Sequence, residues 1–428
     1  MITNTNQKLF SFIKASPTPY HAVDTVSKRL DSEGFTKLSE SDQWELEKGC
    51  GYYVTRGGSS LIAFRVPENF EHGFMISAAH SDSPTFKVKD VPELTDGRTI
   101  RLSTEGYGGM IASSWFDRPL AVAGRVIVRD GTRLVCRLID TEVPCAVIPN
   151  VAIHMNRKVN DGYSYNTAVD TIPLFASSVS GDFKKLIADK AGVSEESIVS
   201  HDLSLYCAED SIEWGEYISA PRLDDLQCAF ASLEAFVEAE VRSSSPVYCL
   251  FDNEEVGSLT KQGADSTFLR DTLERICESL GCDIKRKCAE SFLVSCDNAH
   301  ACHPNHPELS DKNHAVYMNG GIAIKFNANQ KYTSDGVSIG IFRTLCDAVG
   351  AKTQLYANRA DMPGGSTLGN ISNAHVSLWS VDMGLPQLAM HSAYETAGKD
   401  DTAHLISALK TAFSKSLILI GDGEYSVE

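Results

Sequence analysis

The sequence predicts an α/β fold, a helix-covered central sheet carrying an inserted β-rich domain, and three observations lead there. Beyond residue 212, strand-like apolar runs alternate with segments of helical period, the order expected of a sheet covered by helices on both faces. From residue 90 to 211 the texture changes to short alternating segments broken by turn residues, as in an all-β insertion. At 428 residues the chain is too long for one hydrophobic core of ordinary size, so a second domain is expected. The division read from these signals is a main domain in two parts, 1–89 and 212–428, around an insertion at 90–211.

Taken in order, Asn6 to Ile13 and Ala22 to Leu30 have helical apolar spacing. Ser16-Pro17-Thr18-Pro19 separates them, since proline ends one helix and can open the next. Tyr52 to Val54, Ser60 to Val66 and Gly73 to Ala79 read as strands. Within the insertion, Leu120 to Arg129 and Thr132 to Asp140 read as strands and Arg157 to Tyr165 as a loop. Then come a helix from about Leu223 to Val241, a strand at Val247 to Phe251, a helix at about Ser266 to Leu280, a strand near Phe292 to Ser295 and another at Ala374 to Val381. No internal repeat, low-complexity tract or heptad run interrupts this pattern.

Composition narrows the function. Hydrophobic residues at 43% and charged residues at 22% match ordinary globular usage. A formal net charge of −17 argues against nucleic acid or an anionic membrane as general partners, because like charge repels, and leaves small molecules, peptides or proteins. The 12 cysteines form no CxxC pair and sit in apolar stretches, so reduced and mostly buried thiols are expected. Met1 to Phe10 lacks the apolar core of a signal peptide, and no apolar run approaches the ~20 residues of a membrane span; a cytoplasmic protein is expected.

The chemistry concentrates where apolar strands end. Phe74 to Ala79 runs into His80-Ser81-Asp82, where a histidine can bind metal and Asp82 can orient it or a neighbouring ligand; alone, the pair also fits a hydrogen-bonded loop. Asp224, in Arg222-Leu223-Asp224-Asp225, stands at a helix head, where a carboxylate caps free N–H groups or bridges metal ions. Val247 to Phe251 leads into Asp252-Asn253-Glu254-Glu255. Adjacent carboxylates at a buried sheet edge stay ionised when cations offset their repulsion, so Glu255 is assigned to metal and Glu254 to proton transfer from a water.

Phe292 to Ser295 leads into Asp297, a further candidate ligand, and then into His300 and His303, which line a substrate pocket or merely hydrogen-bond within their loop. The Cys/His spacings there fit no standard zinc knuckle. His391 follows the apolar Pro386 to Met390. Asp361 to Thr367 is a turn whose amides can approach a ligand, whereas Gly106 to Gly109 lacks the basic residue and placement of a phosphate loop. With neither HExxH nor GxSxG present, the order His, Asp, Glu-Glu, Asp, His describes a two-metal hydrolase whose ligands come from separate strands.

These segments resemble the M18 aminopeptidases, the aspartyl aminopeptidase family: HSDSPTFKVK from His80, RLDDL from Arg222, DNEEVGS from Asp252, SCDNAHACHPNH from Ser295 and PQLAMHS from Pro386. IPNVAIHMN from Ile148 and KFNANQKY from Lys325 extend the likeness over nearly the whole chain. The resemblance implies the central sheet of the two-zinc aminopeptidases with an inserted dimerisation domain. It implies two divalent metal ions, Zn2+ ahead of Co2+ or Mn2+: one held by His80 and Asp297, one by Glu255 and His391, with Asp224 bridging, Glu254 as general base and Asp82 in support. It also implies that His154 reaches a neighbouring subunit's site, that dimers build a dodecamer, and that the substrates are short peptides with a free N-terminus. Lys325 and Tyr332 match positions that contact acidic N-terminal residues, implying a preference for Asp or Glu. Asn298, where methionine is more usual, and Ala393-Tyr394, where arginine is common, depart from the family pattern. A two-metal N-acyl amino acid deacylase and a non-catalytic assembly protein on the same fold are the alternatives.

Overall fold

A computed structural model describes residues 2–362, 364–365 and 367–428. The chain divides into two compact units, one comprising residues 1–82, 211–390 and 395–428 and the other residues 83–210 and 391–394. The second unit thus starts ahead of the expected residue 90, because its first strand already begins at Thr85.

The first unit is built on a nine-stranded mixed sheet. At its centre four strands lie parallel in the order Ser245–Phe251, Phe74–His80, Phe292–Cys296 and Trp379–Gly384. Three of them, Phe74–His80, Ser245–Phe251 and Phe292–Cys296, are buried along their whole length, as parallel strands covered on both faces must be. Side chains alternate between two cores. Met75 and Ala79 with Tyr248 and Leu250 face the helices Ile2–Ala15, Pro19–Ser32, Leu223–Glu238 and Asp401–Phe413. Phe74, Ile76 and Ala78 with Val247, Cys249 and Phe251 face the helix Phe268–Leu280. The expected helix-covered α/β sheet is therefore what the chain forms. A smaller five-stranded sheet joins Ile212–Trp214, Tyr217–Ala220, Glu395–Gly398, Pro386–Leu388 and Ala299–His300.

One expected strand is corrected. Ala374 to Val381 does not begin as a strand; the helix Leu368–Asn373 precedes it, and the strand starts only at Trp379. Helix-type bonds continue past Asn373, with Ala374 N–H donating to Ile371 O and His375 N–H to Ser372 O. The Asn373 side chain then closes the turn, accepting from Leu378 N–H at 3.0 Å and donating to Ser380 Oγ at 2.9 Å. Of the turn expected at Asp361 to Thr367, Pro363 and Ser366 lie outside the described residues.

The second unit is an antiparallel six-stranded sheet in the order Arg133–Asp140, Leu120–Asp130, Ile198–Cys207, Thr85–Thr95, Thr99–Tyr107 and Leu174–Ser177. The helix Phe183–Ala191 buries Phe183 and Ile187 in the same core as Phe86, Leu102, Val122 and Leu205. Gly124 sits at φ +152°, where a Cβ would collide with Asp202 O, so the close approach of its strand to Ile198–Cys207 requires glycine. None of the 12 cysteines forms a disulfide among the described residues, and six of them are buried, fewer than their apolar neighbours suggest. Among the described residues no helix is long and apolar enough to cross a membrane.

Candidate metal centre

Parallel neighbours share one carboxyl edge, and that edge gathers the acids. Phe251 pairs with His80, the last residue of its strand, so the turn after Phe251 opens beside His80-Ser81-Asp82. The next strand, Phe292–Cys296, delivers Asp297 at the same edge. Ligand sites in helix-covered sheets collect at such strand ends.

His80 is 1% exposed and lies between two carboxylates. Its Nε2 is 3.6 Å from Asp224 Oδ1, and its Nδ1 is 3.0 Å from the Asp82 carbonyl oxygen and 3.4 Å from Asp82 Oδ1. Burial by itself lowers the imidazole pKa, but Asp224 and Asp82 outweigh it and hold the group well above its ordinary value. Asp224 does not act as the helix cap that its position allowed. Arg222 occupies the cap position, and Asp224, at φ −82° and ψ 107°, is not helical; its backbone N–H donates to Glu395 Oε2 at 3.0 Å. The Asp224 carboxylate is thereby left facing His80.

Asp82 fixes the two glutamates through their backbone. Its Oδ1 accepts Glu254 N–H and its Oδ2 accepts Glu255 N–H, each at 3.1 Å. Asn253, at φ +63°, turns the chain so that both amides point the same way. Burial pushes the Glu254 carboxyl up to about 8, with Asp297, Asp82 and Asp224 adding to the rise and His80 opposing it. Glu255 is raised well above the ordinary range by burial and then by Asp224.

Within the first unit two groupings result. One nitrogen of His80 and one carboxylate oxygen each of Asp224 and Asp297 lie within 4.8 Å of one another, and the same holds for His80, Glu254 and Glu255. With Asp82 and Asp225, six acidic side chains gather around one histidine and Lys325, an excess of negative charge that hard or borderline divalent cations fit. An imidazole nitrogen and carboxylate oxygens are the donor types zinc takes, so the residues present suit zinc.

The surroundings of the remaining predicted residues are as follows. His391 opens the four-residue segment 391–394 of the second unit, where its Nδ1 is 2.5 Å from Gly109 O. Lys325 is buried, donates to Asn298 O at 2.8 Å and stands 3.6 Å from Asp297 Oδ2. Burial lowers its pKa, yet Asp297 prevails and raises it. Tyr332 is buried, its ring 5.6 Å from the Lys325 ammonium. His300 and His303 are exposed, and the His303 ring lies 5.3 Å from that of His306; neither joins a metal grouping among the described residues. His154 is exposed in a loop of the second unit.

Three acids that sequence reasoning passed over belong to the surroundings. Asp225 is fully buried, accepts His80 N–H at 3.2 Å and so ties the strand end to the helix start; its place beside Asp224 was the one available signal. Glu395 receives the Asp224 amide. Asp382 accepts from Thr333 N–H at 2.5 Å and from Thr367 Oγ1 at 2.7 Å, holding two loops; a lone aspartate in an apolar strand was its signal.

Comparison with known proteins identifies the family. A family model described as aminopeptidase I zinc metalloprotease (M18) matches residues 12–413. The probable M18 family aminopeptidase 2 of Clostridium novyi (strain NT) is 44% identical over 424 residues, covering 95% of this chain and 98% of that protein. Among solved structures, Ape4 in complex with Nbr1 superposes with a TM-score of 0.93 at 33% identity, covering 96% of this chain and 86% of that one. The mApe1 dodecamer of S. cerevisiae gives 0.83 at 27% identity, covering 95% of each chain. With a family model over nearly its full length and a relative of this identity, the chain belongs to the M18 family of zinc metalloproteases and is an M18 aminopeptidase.

Proposed function

We propose that this aminopeptidase uses two divalent cations, with Glu254 as general base, to release N-terminal Asp or Glu from short peptides. The observation that carries the reading is the convergence of His80, Asp224 and Asp297 in one donor group and of His80, Glu254 and Glu255 in another. In this reading His80 and Asp297 would hold one ion and Glu255 the other, with Asp224 serving both; His391 would join the second on the family resemblance. Bound zinc supplies Lewis acidity, which polarises the scissile carbonyl and lowers the pKa of a water in the site.

The protein's own part is proton handling and orientation. Glu254 takes the proton from the attacking water and returns it to the departing amine, one carboxylate serving as base and then acid. Asp82 keeps Glu254 and Glu255 at a fixed spacing through their amides. Lys325 and Tyr332 are assigned to the acidic side chain of the substrate. In the free enzyme the ammonium is held by Asp297 and Asn298 O, so a substrate carboxylate would share it with them. The homo-oligomer seen for the dodecameric relative is proposed here too, with His154 contributed to a neighbouring subunit's site.

One experiment tests the core of the proposal. Parent and Glu254→Gln proteins are loaded with zinc, their metal content is measured, and both are assayed on chromogenic aminoacyl substrates with different N-terminal residues and on N-acyl amino acids. The expected result is about two zinc ions in each protein, highest parental turnover on Asp and Glu substrates, no deacylation, and roughly 10²–10⁴-fold lower kcat in the variant. Near-normal kcat in Glu254→Gln removes the general-base role, and preference for N-acyl amino acids replaces the reaction.

A further inference from the structure

We propose that Asn298 is a positioning residue for the metal centre, setting the separation of Asp297 from Asp224 through a buried hydrogen-bond hub; this rests on the metal-centre reading above. Asn298 is 2% exposed and every polar atom of its side chain is used. Its Nδ2 donates to Leu223 O at 3.0 Å, to Gln387 Oε1 at 3.0 Å and, more weakly, to Gln227 Oε1 at 3.3 Å. Its Oδ1 accepts from Cys228 Sγ at 3.1 Å and from Leu385 N–H at 3.3 Å. Its backbone carbonyl accepts Lys325 Nζ at 2.8 Å.

The partners give the hub its direction. Leu223 immediately precedes Asp224, and Gln387 reaches Glu395 Oε1 at 3.5 Å, while Glu395 Oε2 accepts the Asp224 amide. Asn298 follows Asp297 and so fixes the other side of the same gap. Two arms, one direct and one through Gln387 and Glu395, thus join the strand end bearing Asp297 to the helix start bearing Asp224. Gln227, bonded in turn to Thr402 Oγ1 at 2.9 Å, ties the hub to the helix Asp401–Phe413. An apolar side chain of similar size would fill the space without selecting a distance. A planar amide with all its donors and acceptors engaged holds one. Small errors in ligand separation weaken a metal site, and loss of partners behind the ligands typically lowers metal affinity 10–100-fold.

The test compares the parent with Asn298→Leu, the apolar side chain closest in size and shape, and with a compensated variant, Asn298→Leu/Gln227→Met/Gln387→Met, which also removes the glutamines that the first change would leave unpaired. Zinc affinity is measured by competition with a chromogenic chelator, folding by calorimetry of the metal-free proteins, and kcat and KM separately. The expected result is roughly 10–100-fold weaker zinc binding in both variants, with metal-free stability recovered in the triple variant while zinc affinity is not, and a loss in kcat larger than any change in KM. Parental zinc affinity in the triple variant overturns the proposal and leaves Asn298 a fold-stabilising residue. A parent that binds no zinc at all refutes the metal-centre reading instead, so the two failures are distinguishable. If Asn298→Leu does not fold, Gln387→Met cuts the Glu395 arm alone, and unchanged zinc affinity there also overturns the proposal.

Discussion

Asp82 accepts the amides of Glu254 and Glu255 at 3.1 Å each while its carbonyl oxygen holds His80 Nδ1 at 3.0 Å, so one residue aligns three side chains of the centre. Asp82→Ala should therefore lower kcat far more than it raises KM, by about 10–100-fold, with weaker zinc retention in the same preparation. Equal kcat at full zinc content would show the alignment to be dispensable. Asp401 offers a prediction remote from the metal. Burial raises its carboxyl from 3.8 to about 6, against the lowering effect of the Asn319 and Gly321 amides. A raised carboxylate pKa means that the folded state binds the proton more tightly, so this group favours folding below about pH 4 and that contribution is lost as pH rises through about 6. Relative to parent, Asp401→Asn should gain about 2 kcal/mol between pH 4 and pH 7, since each pKa unit is 1.36 kcal/mol and part of the contribution is already lost by pH 4. A calorimetric difference that stays constant with pH sinks this assignment. His80, Glu254, Glu255 and Asp297 were legible in the sequence because each stands where an apolar strand stops, and Asp224 because it heads a helix of clear apolar period. Asp225 and Glu395 were not, since their bonds depend on which distant segments pair.

At the scale of elements, the sheet was the easiest feature to read and its exact edges the hardest. Three wholly buried central strands leave long apolar runs that announce themselves, as in Val247 to Phe251. The displaced start at Trp379 was hidden because the apolar content of 374–381 does not distinguish the end of a helix from a strand; the Asn373 side chain decides it. No signal marked 391–394 as returning to the second unit, because four residues hold no period. The strand Trp379–Gly384 also supplies a prediction. A Cβ at Gly384 would collide with the backbone carbonyl of Asp297 and crowd the Cα of Asn298, so glycine there lets this strand end and the Asp297 turn lie against each other. Gly384→Ala should cost about 1–3 kcal/mol of stability and also displace Asp297. The expected signature is a lower Tm accompanied by zinc loss at a chelator concentration that parent withstands. A lower Tm with parental zinc affinity would confine the glycine to packing.

At the scale of the whole molecule, the question is whether one chain contains a complete site. The loop around His154 is unusual for a chain of net charge −17: Val151, Ile153 and Met155 are 52%, 49% and 83% exposed on either side of the histidine. Exposed apolar groups interleaved in one loop are expected where a second copy covers them. If the covering copy receives His154 into its own site, two crippled subunits repair each other. A subunit carrying His154→Ala keeps Glu254, and a Glu254→Gln subunit keeps His154. In a mixed pair the first subunit's site then has both groups and the second's has neither. Random pairing at equal expression makes half the dimers mixed, each with one of two sites intact, so co-expression should restore roughly a quarter of parental kcat from two nearly inactive variants. Recovery must depend on association, so adding Met155→Glu to both chains should abolish it by burying a charge in the covered patch. If His154 instead serves its own subunit, every site in every combination lacks one group, and no mixture rises above the sum of its separate components.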